Sequence, residues 1–235
     1  MSKIAEPDTI EQELTALNNR FADASPLEVL DFAVKQKYID DIALVSSYGA
    51  EAVILLHLVS QVDNNLPVIF IDTGKLFGET KSYRKKVNQQ LNLTNIITFK
   101  GDEDEIKAAD PKSILWSQDT TACCHVRKVL PYARATEPYA ALITGRKRFQ
   151  GNTRSELNIF EFANGQVKIN PLANWGLDQL KNYILDNDLP RHPLVADGYL
   201  SIGCMPCTDK VESDAEYRDG RWSGQTKTEC GIHLL

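Results

Sequence analysis

No stretch of this sequence approaches the roughly 18 consecutive apolar residues that a membrane-spanning helix requires, so no helical span is expected. The opening Met1-Ser2-Lys3-Ile4 lacks the charged-then-apolar pattern of a secretory leader, and a cytoplasmic location is expected. Cysteine is scarce. There are five, an odd number, and without an export signal that argues against a disulfide scaffold and for metal or thiol chemistry. Positive charge is also in deficit, with 26 Lys and Arg against 32 Asp and Glu and a net charge of -6. That balance argues against general nucleic-acid binding but leaves room for a locally basic pocket that takes a small anion. Internal repeats and low-complexity tracts are absent, which removes repeat architectures.

What is present is ordinary material for a core: 235 residues, 43% apolar and 25% charged, enough for one compact domain or a core with an appendage. Ile10, Leu14, Leu17 and Phe21 recur at helical spacing, and Ser25-Pro26-Leu27-Glu28 has the form of a capping box with proline at the first helical position. Two N-terminal helices are therefore expected over 1–40. Short apolar runs at 42–45, 68–71, 96–99 and 141–144 alternate with helical patterns near 50–59, 79–91 and 122–134. Such alternation predicts a parallel sheet flanked by helices. A hairpin is expected at 159–172, turning at Asn164-Gly165, then a helix at 177–185 and a loop-rich tail from about 190.

In a sheet of this class ligands sit at the carboxyl ends of the strands. Those ends carry Ser46-Ser47-Tyr48-Gly49, Asp72-Thr73-Gly74 and Thr144-Gly145-Arg146-Lys147-Arg148. The first precedes a helix, where free N–H groups favour a phosphate, although a serine-capped turn would look the same. It lacks the Gly-Lys-Ser/Thr ending of a Walker loop, so a nucleotide bound here need not be hydrolysed at its phosphates.

Cys123-Cys124 and Cys204-x-x-Cys207 supply four thiolates, enough for a 4Fe-4S cluster or one zinc ion, with buried or redox thiols as the third reading. Adjacent cysteines reach two corners of one tetrahedral ion awkwardly but can bind two irons of a cluster, which favours iron. Arg127 and Lys128 follow within a helical turn, and Arg218 and Arg221 lie in the tail; each reads equally as a solvated basic face or as an anion ligand. Cys230, glycine-flanked and polar in context, is the candidate nucleophile, with Lys227 and His233 near it in sequence.

From about residue 40 onward these motifs resemble the assimilatory sulfonucleotide reductases. Glu229-Cys230-Gly231-x-His233 matches that family's ending. Cys123-Cys124-x-x-Arg127-Lys128 with the later C-x-x-C looks like its iron-sulfur subgroup, and Asp72-Thr73-Gly74-x-Leu76-Phe77 is similar to its pocket loop. The resemblance implies an adenine nucleotide alpha hydrolase-like α/β fold related to ATP pyrophosphatases. It implies a sulfonucleotide-binding core with the Fe-S site over 41–210 and a catalytic tail over 211–235. Cys123, Cys124, Cys204 and Cys207 would hold a 4Fe-4S cluster, and Cys230 would attack adenosine 5'-phosphosulfate. Lys128, Arg148, Arg218, Arg221 and His233 would face the phosphosulfate, with Ser46, Gly49, Thr73 and Gly74 completing the pocket. Thioredoxin or glutaredoxin would release sulfite, and a homo-oligomer is left open. Three positions depart from the pattern: Tyr48 where serine is common, Lys147 for the first arginine of Thr-Gly-x-Arg-Arg-x-Gln, and Gly78 for a proline. Tyr48 leaves a 3'-phosphoadenosine 5'-phosphosulfate reductase, or a bifunctional enzyme, as the alternative. A non-catalytic Fe-S nucleotide sensor is the other.

Overall fold

The computed structural model describes residues 7–151, 154–212, 217–223, 227 and 229–233, with the backbone alone for 7, 8 and 233. Helix α1 (Pro7–Arg20) sends Leu14 and Leu17 into the core. Helix α2 (Pro26–Phe32) starts on the expected capping box: Ser25 Oγ accepts from Glu28 N, and Glu28 accepts from Ser25 N at 2.8 Å.

A six-stranded sheet follows in the order β3-β2-β1-β4-β6-β5, from β1 (Ile42–Val45), β2 (Val68–Asp72), β3 (Ile96–Lys100), β4 (Ala141–Ile143), β5 (Phe160–Ala163) and β6 (Gln166–Ile169). All neighbours pair in parallel except β5 with β6. That hairpin turns on Asn164 and Gly165, both at positive φ (54° and 77°), the backbone a two-residue type I′ turn requires. β1 and β2 are buried along nearly their whole length, which explains their unbroken apolar runs. The β5 edge is covered from α1, where Asn18 bonds both the N–H and the carbonyl of Phe160 at 2.9 Å.

Helices α3 (Ala52–Val62), α4 (Gly78–Gln90) and α9 (Leu177–Asp186) lie where periodicity places them. The single helix expected over 122–134 is instead three pieces. Helix α7 (Thr120–Cys124) is capped by Asp119, a wide turn of π type spans His125–Val129, and α8 runs Leu130–Thr136. Pro131 has no N–H to continue the ladder, so the helix widens one turn upstream of it. Two short helices escape the apolar pattern, α5 (Glu103–Ala109) and α6 (Leu115–Gln118), neither with a buried residue. Among the described residues no helix is long and apolar enough to cross a membrane.

Beyond Pro190 the described chain is loop and single turns, tied to the body by paired backbone. Cys204 bridges to Leu76, Met205 N donates to Lys75 O at 2.8 Å, and Thr208 bridges to Arg221. His192 anchors its start. Leu194 N donates to His192 Nδ1, which places the proton on Nε2, and Nε2 donates to Thr80 Oγ1 of α4 at 3.0 Å. The ring is 1% exposed, and burial holds its pKa down at about 4.

A histidine kept neutral in the fold but free to protonate when unfolded favours the unfolded chain as pH drops. Its contribution is intact above the unfolded pKa of about 6.5 and is lost progressively toward pH 4. We expect unfolding free energy to be about 2 kcal/mol lower at pH 5 than at pH 7.5 from this group. Urea titrations at the two pH values should show that increment vanish in His192→Gln; an unchanged difference would remove the assignment.

Candidate active site

The order of strands reverses at β1, which has β2 on one side and β4 on the other. A crevice opens there beyond the carboxyl ends. Its floor is the β1–α3 turn and the end of β4, with Ser46, Ser47, Gly49, Thr144, Gly145 and Lys147 in its lining. Ser46 N still bonds Ile69 O at 3.0 Å, so the turn leaves the sheet at a fixed point. A Cβ on Gly49 would lie 3.2 Å from Ile202 O, tight enough that the tail's approach there suits glycine. Tyr48, at φ +51°, points away from the crevice: it is wholly buried, donates to Asn88 Oδ1 at 2.7 Å and meets Phe70 edge-on. The aromatic residue that departs from the family pattern is therefore core packing, and the crevice wall is left to its small neighbours.

Six cations line the crevice: Lys128, Arg146, Lys147, Arg154, Arg218 and Arg221. Four carry acidic partners. Arg146 pairs with Glu161 at 2.5 Å, Lys147 with Glu51 at 2.8 Å, and Arg154 and Arg218 both reach Glu229, at 2.8 and 3.5 Å. Among the described residues Lys128 and Arg221 have no carboxylate partner. Arg221 is flattened on Trp222, 4.5 Å from the ring centre, and fills the space where a side chain at Gly203 would stand. Because Arg154 and Arg218 share the one carboxylate of Glu229, Lys128, Arg221 and that shared pair supply the uncompensated positive charge.

Cys230 sits against them in the crevice, only 6% exposed. The Cys124 thiol donates a hydrogen bond to its sulfur, and Lys128, the Ile232 N–H and Arg221 add to this, so the Cys230 thiol is held well below its ordinary range despite burial. The proton of the pair stays on Cys124, whose own ionisation is pushed up by that bond and by burial. Burial also raises Cys123 and Cys207.

The sulfurs gather from three segments. Cys123 and Cys124 end α7, Cys204 and Cys207 flank one turn, and Cys207 packs with Trp222 and Cys230. All five thiols are free. Cys204 stands close enough for its charge to help raise Cys123 and Cys207, and Cys123 acts on Cys207 in the same way. Thr73 Oγ1 lies 3.2 Å from Cys204 Sγ. Arg127, buried beside Cys123, is held by Asp110 at 2.9 Å and donates to Thr73 O at 3.3 Å. Among the described residues no three His, Cys, Asp or Glu side chains converge as one metal ion requires. Four thiols with no carboxylate among them nevertheless form a soft donor set of the kind iron-sulfur clusters use, and a four-iron cube spreads its ligands wider than one ion does.

The residues singled out by sequence thus divide. Ser46, Gly49, Lys128, Arg218, Arg221 and Cys230 line the crevice together. Thr73 and Gly74 lie at the cysteine group instead, with Gly74 at φ +72° under Arg127. Arg148 is exposed and spends its Nε on Leu157 O at 2.8 Å, outside the crevice, while the lysine before it points in. The His233 side chain lies outside the described residues. Sequence reading missed Arg154 and met Glu229 only as part of the terminal motif, because their pairing across 75 positions leaves no local signal.

The chain matches the phosphoadenosine phosphosulfate reductase domain over residues 41–210. A protein of Mesorhizobium japonicum named adenosine 5'-phosphosulfate reductase is 44% identical over 97% of this chain and 89% of its own length. One of the same name from a Chelativorans species is 44% identical over 98% and 95%. Among solved structures, a phosphoadenylyl-sulfate reductase from Candida auris in a phosphate complex superposes with a TM-score of 0.72 at 30% identity, covering 85% of this chain and 97% of that one. Yeast FAD synthetase shares the fold alone, with a TM-score of 0.55, 14% identity, and 89% and 70% covered. Agreement over this much of the sequence and of the backbone permits one conclusion, that the chain belongs to the phosphoadenosine phosphosulfate reductase family.

Proposed function

We propose that this chain reduces adenosine 5'-phosphosulfate to sulfite and AMP in assimilatory sulfate reduction, with Cys230 as nucleophile. The observation that carries the reading is a buried thiol in a crevice at the switch point, beside two cations that have no acidic partner among the described residues. The β1–α3 turn, at the N-terminus of an 11-residue helix, offers N–H groups to the nucleotide phosphate. Lys128 and Arg221 take the sulfonate oxygens and offset the repulsion between thiolate and anion.

The Cys230 thiolate attacks sulfur, the S–O bond to the phosphate breaks, and AMP leaves with the electron pair. Cys230 then carries a thiosulfonate. A dithiol of the thioredoxin or glutaredoxin class supplies two electrons, becomes a disulfide, and frees sulfite and the Cys230 thiol. Cys123, Cys124, Cys204 and Cys207 are the residues that would hold a 4Fe-4S cluster. Bound there, such a group supplies fixed charge and local order beside Lys128 and Arg127.

The protein purified without oxygen is expected to contain about four irons per chain and to release sulfite from adenosine 5'-phosphosulfate with thioredoxin. Before reductant is added, the Cys230 peptide should gain the mass of SO3. Equal or faster turnover of 3'-phosphoadenosine 5'-phosphosulfate would favour the second substrate, a reading the Candida auris likeness keeps in view. Binding of nucleotide without any mass gain would mean a sensor.

A further inference from the structure

The reaction needs Cys230 inside the crevice for attack and outside it for reduction. Besides the contacts of its own sulfur with Cys124, the Ile232 N–H, Lys128 and Arg221, the residue before it is tied to the body of the fold. Glu229 receives two hydrogen bonds at 2.8 Å from Arg154, Nε to one oxygen and Nη2 to the other, in a planar fork that admits little variation in direction. The two side chains are 6% and 11% exposed. Arg154 is itself braced by the body of the fold, since its Nη1 donates to Gln150 Oε1 at 2.6 Å and that oxygen also accepts from Lys147 N. Gln150 ends the turn that follows β4, so the fork ties the tail to the floor of the crevice.

Two further contacts set the tail laterally. A Cβ on Gly231 would lie 2.8 Å from Val129 Cγ2, so the backbone passes close over the wide turn that carries Lys128. Ile232 packs against the apolar group that contains Tyr132 and also against the one that contains Cys207. These contacts hold the strip of tail against the body by shape, whereas the fork fixes direction at the residue that precedes the nucleophile.

We propose that Glu229, through Arg154, is the positioning residue that seats Cys230 in the crevice, an inference that rests on the reading of Cys230 as the nucleophile. An ion pair suits the task better than an apolar plug. Desolvation offsets most of the attraction within a buried pair, while separation returns both charges to water. The seated and released states therefore lie close in free energy, and the tail can leave the crevice and come back. The pair also divides the charge. With Glu229 in place one charge of the Arg154 and Arg218 pair is offset, and Lys128, Arg221 and the other charge of that pair remain for the anion. Without it the crevice gains positive charge while the nucleophile loses its seat. Binding and turnover should then move apart.

The test compares the wild type with Glu229→Gln and with the charge exchange Arg154→Glu/Glu229→Arg, each full length and purified without oxygen. Iodoacetamide labelling of the Cys230 peptide is followed by mass spectrometry on the alkaline plateau, where the whole thiol is ionised and the rate reports access alone. Glu229→Gln should raise that rate roughly tenfold and lower kcat by a similar factor, with AMP affinity unchanged or tighter. The exchange variant should return the labelling rate part of the way toward the wild type, since the guanidinium at position 229 then faces Arg218; a variant that merely misfolds cannot recover at all. An unaltered labelling rate in Glu229→Gln, or no recovery in the exchange, overturns the proposal. Labelling does not require turnover, so it tests the seat even if sulfite chemistry fails. That failure would appear separately, as sulfite release surviving in Cys230→Ser.

Discussion

Cys230→Ser is expected to lower sulfite release by about 10⁴-fold or more, because the attacking group is lost and not merely displaced. A serine hydroxyl ionises far above any pH at which the protein is folded, and the cations that stabilise a thiolate here cannot bring it into range. Cys230 is only one of many groups that line the crevice, so AMP should bind within about threefold of the wild type. The four other cysteines are untouched, so iron content should also be retained. Three measurements on one preparation check this: sulfite formed with thioredoxin, AMP binding by calorimetry, and iron per chain. Retained sulfite release would defeat the nucleophile assignment. Lost activity together with lost iron would point to a structural role for the tail sulfur instead.

The parts of this site that could be read beforehand are those whose cause is local. The apolar runs of β1 and β2 are unbroken because both faces of those strands are covered. Asn164-Gly165 announces its turn because two successive positive φ values exclude most other residues. The cysteine pairs could be grouped from their spacing, and Cys230 was picked out by its glycine-flanked polar context, which suggests an exposed thiol where the fold buries it. The strand-end rule was right for β1 and β4, which flank the switch point. For β2, one place off it, the end is taken up by the Cys204 turn, so Thr73 and Gly74 serve the sulfur group and not the crevice. What escaped depends on distance or on competition. Glu103–Ala109 buries nothing, so no periodicity marks it. The wide turn at His125–Val129 arises because Pro131 interrupts a ladder that propensity alone would continue. Arg148 and Lys147 are adjacent cations of one motif, and only the folded turn decides that the lysine points in and the arginine out.

That wide turn bears on the second large effect, which concerns Lys128. It brings the Lys128 ammonium within the electrostatic reach of Cys230 above all, and of Cys204 and Cys124. The negative charge of Cys230 is the chief reason its pKa is raised in spite of burial, so it stays protonated throughout the working range. Bringing a thiolate to a sulfonate costs about 4 kcal/mol per pair of like charges at 4 Å with an effective dielectric near 20. One cation placed between them offsets about that much. Arg221 shares the task but is held over the Trp222 ring. Lys128→Ala should therefore lower kcat/KM by roughly 10²- to 10³-fold. Lys128→Arg, which keeps the charge but not the point geometry, should recover only part of that loss. A melting temperature within a few degrees of the wild type would show that the loss is not unfolding. If kcat/KM in Lys128→Ala stayed within about threefold, the charge that tolerates the thiolate would have to come from Arg221 and from the Arg154 and Arg218 pair that shares Glu229.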